Sequence, residues 1–271
     1  MKFKSVYLLI GVFPFLVQCA SLGTSGNQTH EFFVKGSPTI DSVYFSNSKT
    51  NKMVAGKLVD SQNETLVFKI RTETTKVDDQ KKLIFQKQTT ISREGEGKLN
   101  DMGFPELNQS IQFVYTPKGE VVKAGDFPKG SIFYLPQVPL PDEPVRIGDT
   151  WQRKYLWMGL TNHIPLEADL LVIFKGVETC DTDKKCALLE ISGEVQILGF
   201  ATERSDFKSE IRGKVMYSLT NGEVLSSHIQ STELLLSGPQ AVRVASCVIG
   251  EKQLSKETLK DSPICDPTQF P

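Results

Sequence analysis

The chain has 271 residues, 39% hydrophobic and 23% charged, enough for one large domain or two small ones with a real core. Thirty-one Lys and Arg nearly cancel 32 Asp and Glu, so no global field recruits nucleic acid or an anionic membrane surface. Disorder and collagen are excluded by the same composition.

Lys2 and Lys4 form a positive n-region ahead of an apolar run from Val6 to Val17. The run is too short to span a bilayer comfortably and has the length of an export signal, which assigns residues 1–18 to a signal peptide. Leu16-Val17-Gln18-Cys19 follows, and it resembles the lipobox of bacterial lipoproteins, with Gln18 where the family has a small residue. The resemblance implies lipidation at Cys19 and anchoring to a membrane without spanning it. Cleavage near Cys19 without a lipid is the alternative. The absence of Asp after Cys19 implies, by the family's sorting pattern, the outer membrane. Residues 19–29 then read as anchor and flexible linker, since ASLGTSGNQT cannot bury a core face.

From His30 onward the pattern has period two. Leu66, Phe68 and Ile70 alternate with Val67, Lys69 and Arg71, a half-buried strand. Ala187, Leu189, Ile191, Val195 and Ile197 repeat it against Glu190, Ser192, Glu194 and Gln196. Further strands are expected at 31–35, 42–46, 53–59, 82–92, 111–116, 120–124, 131–135, 151–158, 167–178, 213–220, 223–236 and 242–249. Only Glu251 to Lys260 reads as a helix, and it is short. Turn chemistry punctuates the strands. Asn221-Gly222 predicts a two-residue type I′ hairpin, and Pro117-Lys118-Gly119 a turn with Gly in the left-handed position. Shifting the chain by 103 positions lays Asp78, Lys81, Lys82, Phe104 and Gly119-Glu120-Val121 on identical residues, seven in the 45 positions from 78 to 122, against roughly three expected from composition. That suggests duplicated meanders, or two meanders sharing hairpin chemistry.

Four prolines keep Leu135 to Pro144 extended and out of any central strand. The segment 136–150 is therefore a connector between halves 30–135 and 151–271. Val145-Arg146-Ile147-Gly148-Asp149-Thr150-Trp151 resembles an element of uncharacterised β-rich exported bacterial proteins, implying an envelope setting and no activity. Gly148-Asp149 makes a turn and Trp151 opens the next strand.

Cys180, Cys186, Cys247 and Cys265 remain beside Cys19, an even number in a chain bound for an oxidising compartment. Cys180–Cys186 is expected to close across the polar loop 181–185, leaving Cys247–Cys265 to staple the tail to the last strand. A zinc site is disfavoured because the spacing is not C-x-x-C and His163 and His228 are remote.

No catalytic residue is assigned. The strand-to-helix turn G-x-S-x-G is absent, and His30, His163 and His228 show no partner by spacing. The pairs Asp78-Asp79, Asp181/Asp183 and Asp142-Glu143 read as solvated turns without the register of a calcium loop. Neither metal nor cofactor is expected. Phe32-Phe33, Tyr44-Phe45, Phe113/Tyr115, Phe133-Tyr134 and Trp151/Tyr155/Trp157 read first as core and second as the lining of a cavity, and adjacent aromatics require both sheet faces to be covered in places.

The expected fold is mainly β, a large antiparallel assembly forming a curved sheet, sandwich or open barrel, with a short C-terminal helix. The expected function is a non-enzymatic, lipid-anchored envelope protein with a binding or structural role. A carrier of lipid or another apolar ligand in a β cavity is the alternative. A hydrolase using His163 or His228 ranks third. Partners are the membrane, through the N-terminal lipid, and an apolar ligand or envelope component, not nucleic acid.

Overall fold

The computed structural model describes residues 28–36, 39–159, 163–181, 184–198 and 205–252. The signal segment, Cys19 and Cys265 lie outside them. Eleven strands make a single antiparallel sheet: β1 Ile40–Val54, β2 Lys57–Asp78, β3 Leu83–Gly95, β4 Ser110–Tyr115, β5 Val121–Ala124, β6 Thr150–Met158, β7 Pro165–Asp181, β8 Lys184–Ile197, β9 Ser205–Ser218, β10 Glu223–Ser237 and β11 Gln240–Lys252. The spatial order is β5-β4-β3-β2-β1-β11-β10-β9-β8-β7-β6. The chain meanders from the middle to one edge, crosses to the other edge, and meanders back until β11 pairs with β1.

The sheet is open but strongly curled. The Val34 N–H donates to Pro117 O (2.7 Å) and the Lys35 N–H to Gly222 O (3.3 Å). These neighbouring residues tie the β4–β5 turn to the β9–β10 turn, whose nearer strands, β4 and β10, a flat sheet would hold five strand spacings, about 24 Å, apart. On the open side β5 and β6 form no ladder. Instead the Met158 N–H donates to Gly130 O (2.6 Å), bonding the end of β6 to the segment after β5.

Period-two alternation decides what each strand contributes to the inner face. Leu66, Phe68 and Ile70 pack under Leu99, Met102 and Phe104 from the β3–β4 loop. Ile84, Ile111, Phe113 and Tyr115 pack under Phe133 of the crossover. Phe32, Val138 and Leu140 pack on Val172, Phe174, Leu189, Val215 and Tyr217. Three irregular segments therefore fill the inside of the curl. The outer face carries its own apolar patch, Val43, Phe45, Val67, Cys247 and Ile249, so Tyr44 and Phe45 are indeed on opposite covered faces.

Several expected elements differ. The strand expected at 53–59 is a hairpin, with β1 turning at Ala55-Gly56 into β2, because Ala55 and Gly56 both adopt positive φ. Residues 31–35 form no strand; only His30 bridges, to Val145, and Phe32 serves as a core plug instead. Residues 132–134 are a 3-10 turn that sinks Phe133 into the core. The Asn221-Gly222 turn is a four-residue loop rather than type I′: Ser218 pairs with Glu223, and only Gly222 has positive φ. Ser218 causes this, its Oγ accepting the Asn221 N–H (3.0 Å) and its carbonyl the Gly222 N–H (2.9 Å). Glu251 and Lys252, expected to open a helix, end β11, paired with Val43 and Ser42. Residues 253–260 lie outside the described part. Pro117-Lys118-Gly119 turns as expected, with Gly119 at φ 84°.

Candidate functional site

The connector between β5 and β6 positions the site. Its prolines keep 135–140 out of the sheet, though the chain bends at Leu135, Gln137 and Val138 rather than running extended as expected. β6 fastens it: Trp151 Nε1 donates to Pro139 O (2.7 Å), while Arg153 donates through Nε (3.2 Å) and Nη2 (3.0 Å) to Leu140 O. Arg153 Nη2 also lies 2.7 Å from Asp142 Oδ1. The strap thus packs Val138 and Leu140 on the inner face while Leu135, Pro136, Gln137 and Pro139 border an open space.

Beneath it lies a cavity of about 570 Å³. Leu135, Pro136, Gln137 and Pro139 form the roof. Tyr155 and Trp157 of β6, Leu166, Ala168 and Leu170 of β7, and Ile191, Val195 and Ile197 of β8 form one wall. Phe207 and Ile211 of β9 and Ile229, Ser231, Glu233 and Leu235 of β10 form the other. Close-packed interiors leave few voids larger than a water molecule, so this space lies within the size range of ligand sites. Its chemistry is overwhelmingly apolar. Burial pushes Tyr155 up to about 12 and raises the Glu233 carboxyl above its usual range.

At the other end of the curl a smaller space, about 80 Å³, is polar. Tyr44, Tyr115, Tyr217, Glu223 and Lys252 surround it. Glu223 Oε1 accepts from Lys252 Nζ (2.7 Å) and Asn221 Nδ2 (3.1 Å), and Tyr217 Oη donates to Phe33 O (2.8 Å). Burial raises all three tyrosines, Tyr44 to about 12. This cluster ties the strand ends together and leaves room for little more than water.

The residues singled out from sequence fall in separate places. Cys180 and Cys186 are disulfide-bonded, closing the β7–β8 hairpin. Cys247 is also disulfide-bonded, and its expected partner Cys265 lies outside the described residues. His228 is on the outer face of β10, its Nε2 3.5 Å from both Cys247 Sγ and Gln230 Nε2. His163 sits exposed in the β6–β7 loop at φ 53°. His30 stacks edge-on against Phe174, centroids 5.4 Å apart, and burial lowers its pKa. These three histidines do not converge. Among the described residues no group of three or more His, Cys, Asp or Glu converges to hold a metal. Of the aromatics, Tyr155 and Trp157 line the cavity, whereas Phe32, Phe113, Tyr115 and Phe133 are core. Sequence reasoning passed over Glu233. Its signal was a charge in register with Ile229, Ser231 and Leu235 on a strand face without other charges.

No protein-family model matches the chain, and no curated protein matches it. Similar solved structures include a mutant porin of Rh. blastica, with a TM-score of 0.26, 9% identity, and coverage of 78% of this chain and 99% of that one. Another, described as concerning asymmetric conductivity of engineered proteins, has a TM-score of 0.27 at 9% identity and covers 78% of this chain and 99% of its own. DynF, from the dynemicin biosynthesis pathway of Micromonospora chersina, has a TM-score of 0.21 at 9% identity, covering 86% of this chain and 92% of its own.

Proposed function

We propose that this protein is a non-enzymatic, exported and lipid-anchored envelope protein that binds or carries an apolar ligand in the cavity beneath its connector. The cavity carries the reading: about 570 Å³ of mostly apolar space, roofed by a strap that β6 pins in place. Emptying such a space of ligand forfeits dispersion contacts along its walls, and an apolar guest recovers them. The envelope setting rests on the basic n-region, the apolar run and the Leu16 to Cys19 pattern. A structural or docking role is the second reading, favoured by the β1–β2 hairpin tip, where Leu58 and Val59 are 61% and 60% exposed.

Native mass spectrometry of the gently purified protein, before and after organic extraction, tests the ligand. A discrete extractable mass of a few hundred daltons is expected, and Ala168→Trp, which thrusts an indole into the cavity, should deplete it. A bare mass together with no uptake of added decanol would overturn the carrier reading. A mass-spectrometric N-terminus of the host-made protein tests the anchor, with a lipid on Cys19 expected.

A further inference from the structure

Glu233 is the single charged side chain among the described residues that line the cavity. It lies on β10 between Ser231 and Leu235, all facing inward. No described cation forms an ion pair with it, and desolvation alone perturbs it. Across the ladder its partner on β9 is Ser209, flanked by the cavity residues Phe207 and Ile211. Ser209 is 5% exposed, and its Oγ has no hydrogen-bond partner. On the other side Glu233 meets Val244 of β11, which offers nothing polar. Ser231 is already engaged, its Oγ 2.6 Å from Ser246 Oγ.

Glu233 thus stands on an apolar wall, half-buried and with no partner among the described residues. The hydroxyl of its neighbour Ser209 is sealed from the cavity and donates no hydrogen bond to it. A carboxylate drawn partly out of water costs stability unless something satisfies it. An uncharged apolar guest would shut out that water and leave it unsatisfied, and a carboxylate guest would be repelled. An ammonium has three N–H donors and a full positive charge, and Glu233 offers it two carboxylate oxygens as acceptors. We infer that the cavity's occupant is an apolar molecule bearing a primary amine, its ammonium held by the Glu233 carboxylate. This rests on the proposed apolar-ligand reading and names the ligand class.

Decylamine and decanol share a chain and differ in the head group. Titrated by calorimetry at neutral pH, with the fluorescence of Trp151 and Trp157 as a second readout, decylamine should bind about tenfold or more tightly than decanol. Glu233→Gln should bring the two affinities within about threefold of each other, whereas Ser209→Ala, beside it but outside the cavity, should leave the gap in place. Glu233→Gln removes an unpaired, half-buried acid, so a melting temperature at or above that of the parent confirms that the variant folds. Equal binding of the two probes by the parent, or an amine preference that survives Glu233→Gln, would overturn this inference and leave the carrier reading standing. Failure of both probes to bind would overturn the two together.

Discussion

Asp41 on β1 illustrates how single residues respond to their setting. Arg71 reaches its two carboxylate oxygens at 2.9 and 3.1 Å, and Lys69 lies 2.9 Å away, so the carboxyl is held down at about 2. A depressed acid contributes stability above its unfolded value near 4, and that contribution is lost as pH falls from about 4 to about 2. The group is partly exposed and solvent-screened, so the loss is on the order of 1 kcal/mol or less. Urea midpoints measured across pH 2 to 6 should show an acid limb that Asp41→Asn flattens. Glu233 behaves in the opposite sense. Its raised carboxyl penalises the fold above its folded pKa, so Glu233→Gln stabilises at neutral pH and that gain fades as pH falls toward 4. Gly222 is required by its backbone. It has φ 66°, and an added Cβ would meet Phe33 O at 2.3 Å and Lys35 N at 2.6 Å. Gly222→Ala should therefore cost about 2 kcal/mol or more by chemical denaturation, combining left-handed strain with the loss of the Lys35–Gly222 tie. The sequence placed a glycine-dependent turn here. It could not reveal that the turn would meet residue 34, because that approach exists only once the sheet curls.

At the scale of elements, the strands were legible and the fillers were not. Leu66, Phe68 and Ile70 alternate because one face is buried, and the structure puts all three inside. The same rule misleads where a short apolar run is a plug: Phe32 and Phe133 are buried from irregular segments that need no period. The connector shows the difference best. Its prolines announced an extended segment outside the sheet; it lies outside the sheet but bends, and only Trp151 and Arg153 turn it into a strap. Trp151→Phe keeps the aromatic packing and removes the donor to Pro139, and Arg153→Met removes three contacts to Leu140 and Asp142. The double variant should speed amide hydrogen exchange at residues 135–140 while leaving β7 to β9 protected, because the strap loses its anchors and the sheet does not.

For the whole molecule, the disulfide and the curl act at different ranges. Cys180–Cys186 closes a loop of sequence separation 6 and constrains one hairpin, so Cys180→Ser with Cys186→Ser should cost about 2 kcal/mol in thermal or denaturant unfolding and leave the sheet intact. The cavity depends instead on strands far apart in sequence, β6 with β10, and on a crossover laid across them. The 103-residue shift carries the β2–β3 turn onto the β7–β8 turn and the β4–β5 turn onto the β9–β10 turn, yet the two series lie on either side of the β1–β11 pairing within one sheet. By itself the sequence determined the antiparallel strands, the Cys180–Cys186 hairpin and a proline-rich segment outside the sheet, because alternation, loop chemistry and proline act within a few residues of chain. Tertiary structure alone decided that β11 would pair with β1, that the sheet would curl round three irregular segments, and that Glu233 would point into an apolar space. Those outcomes follow from contacts between residues tens to hundreds of positions apart, which local pattern does not encode.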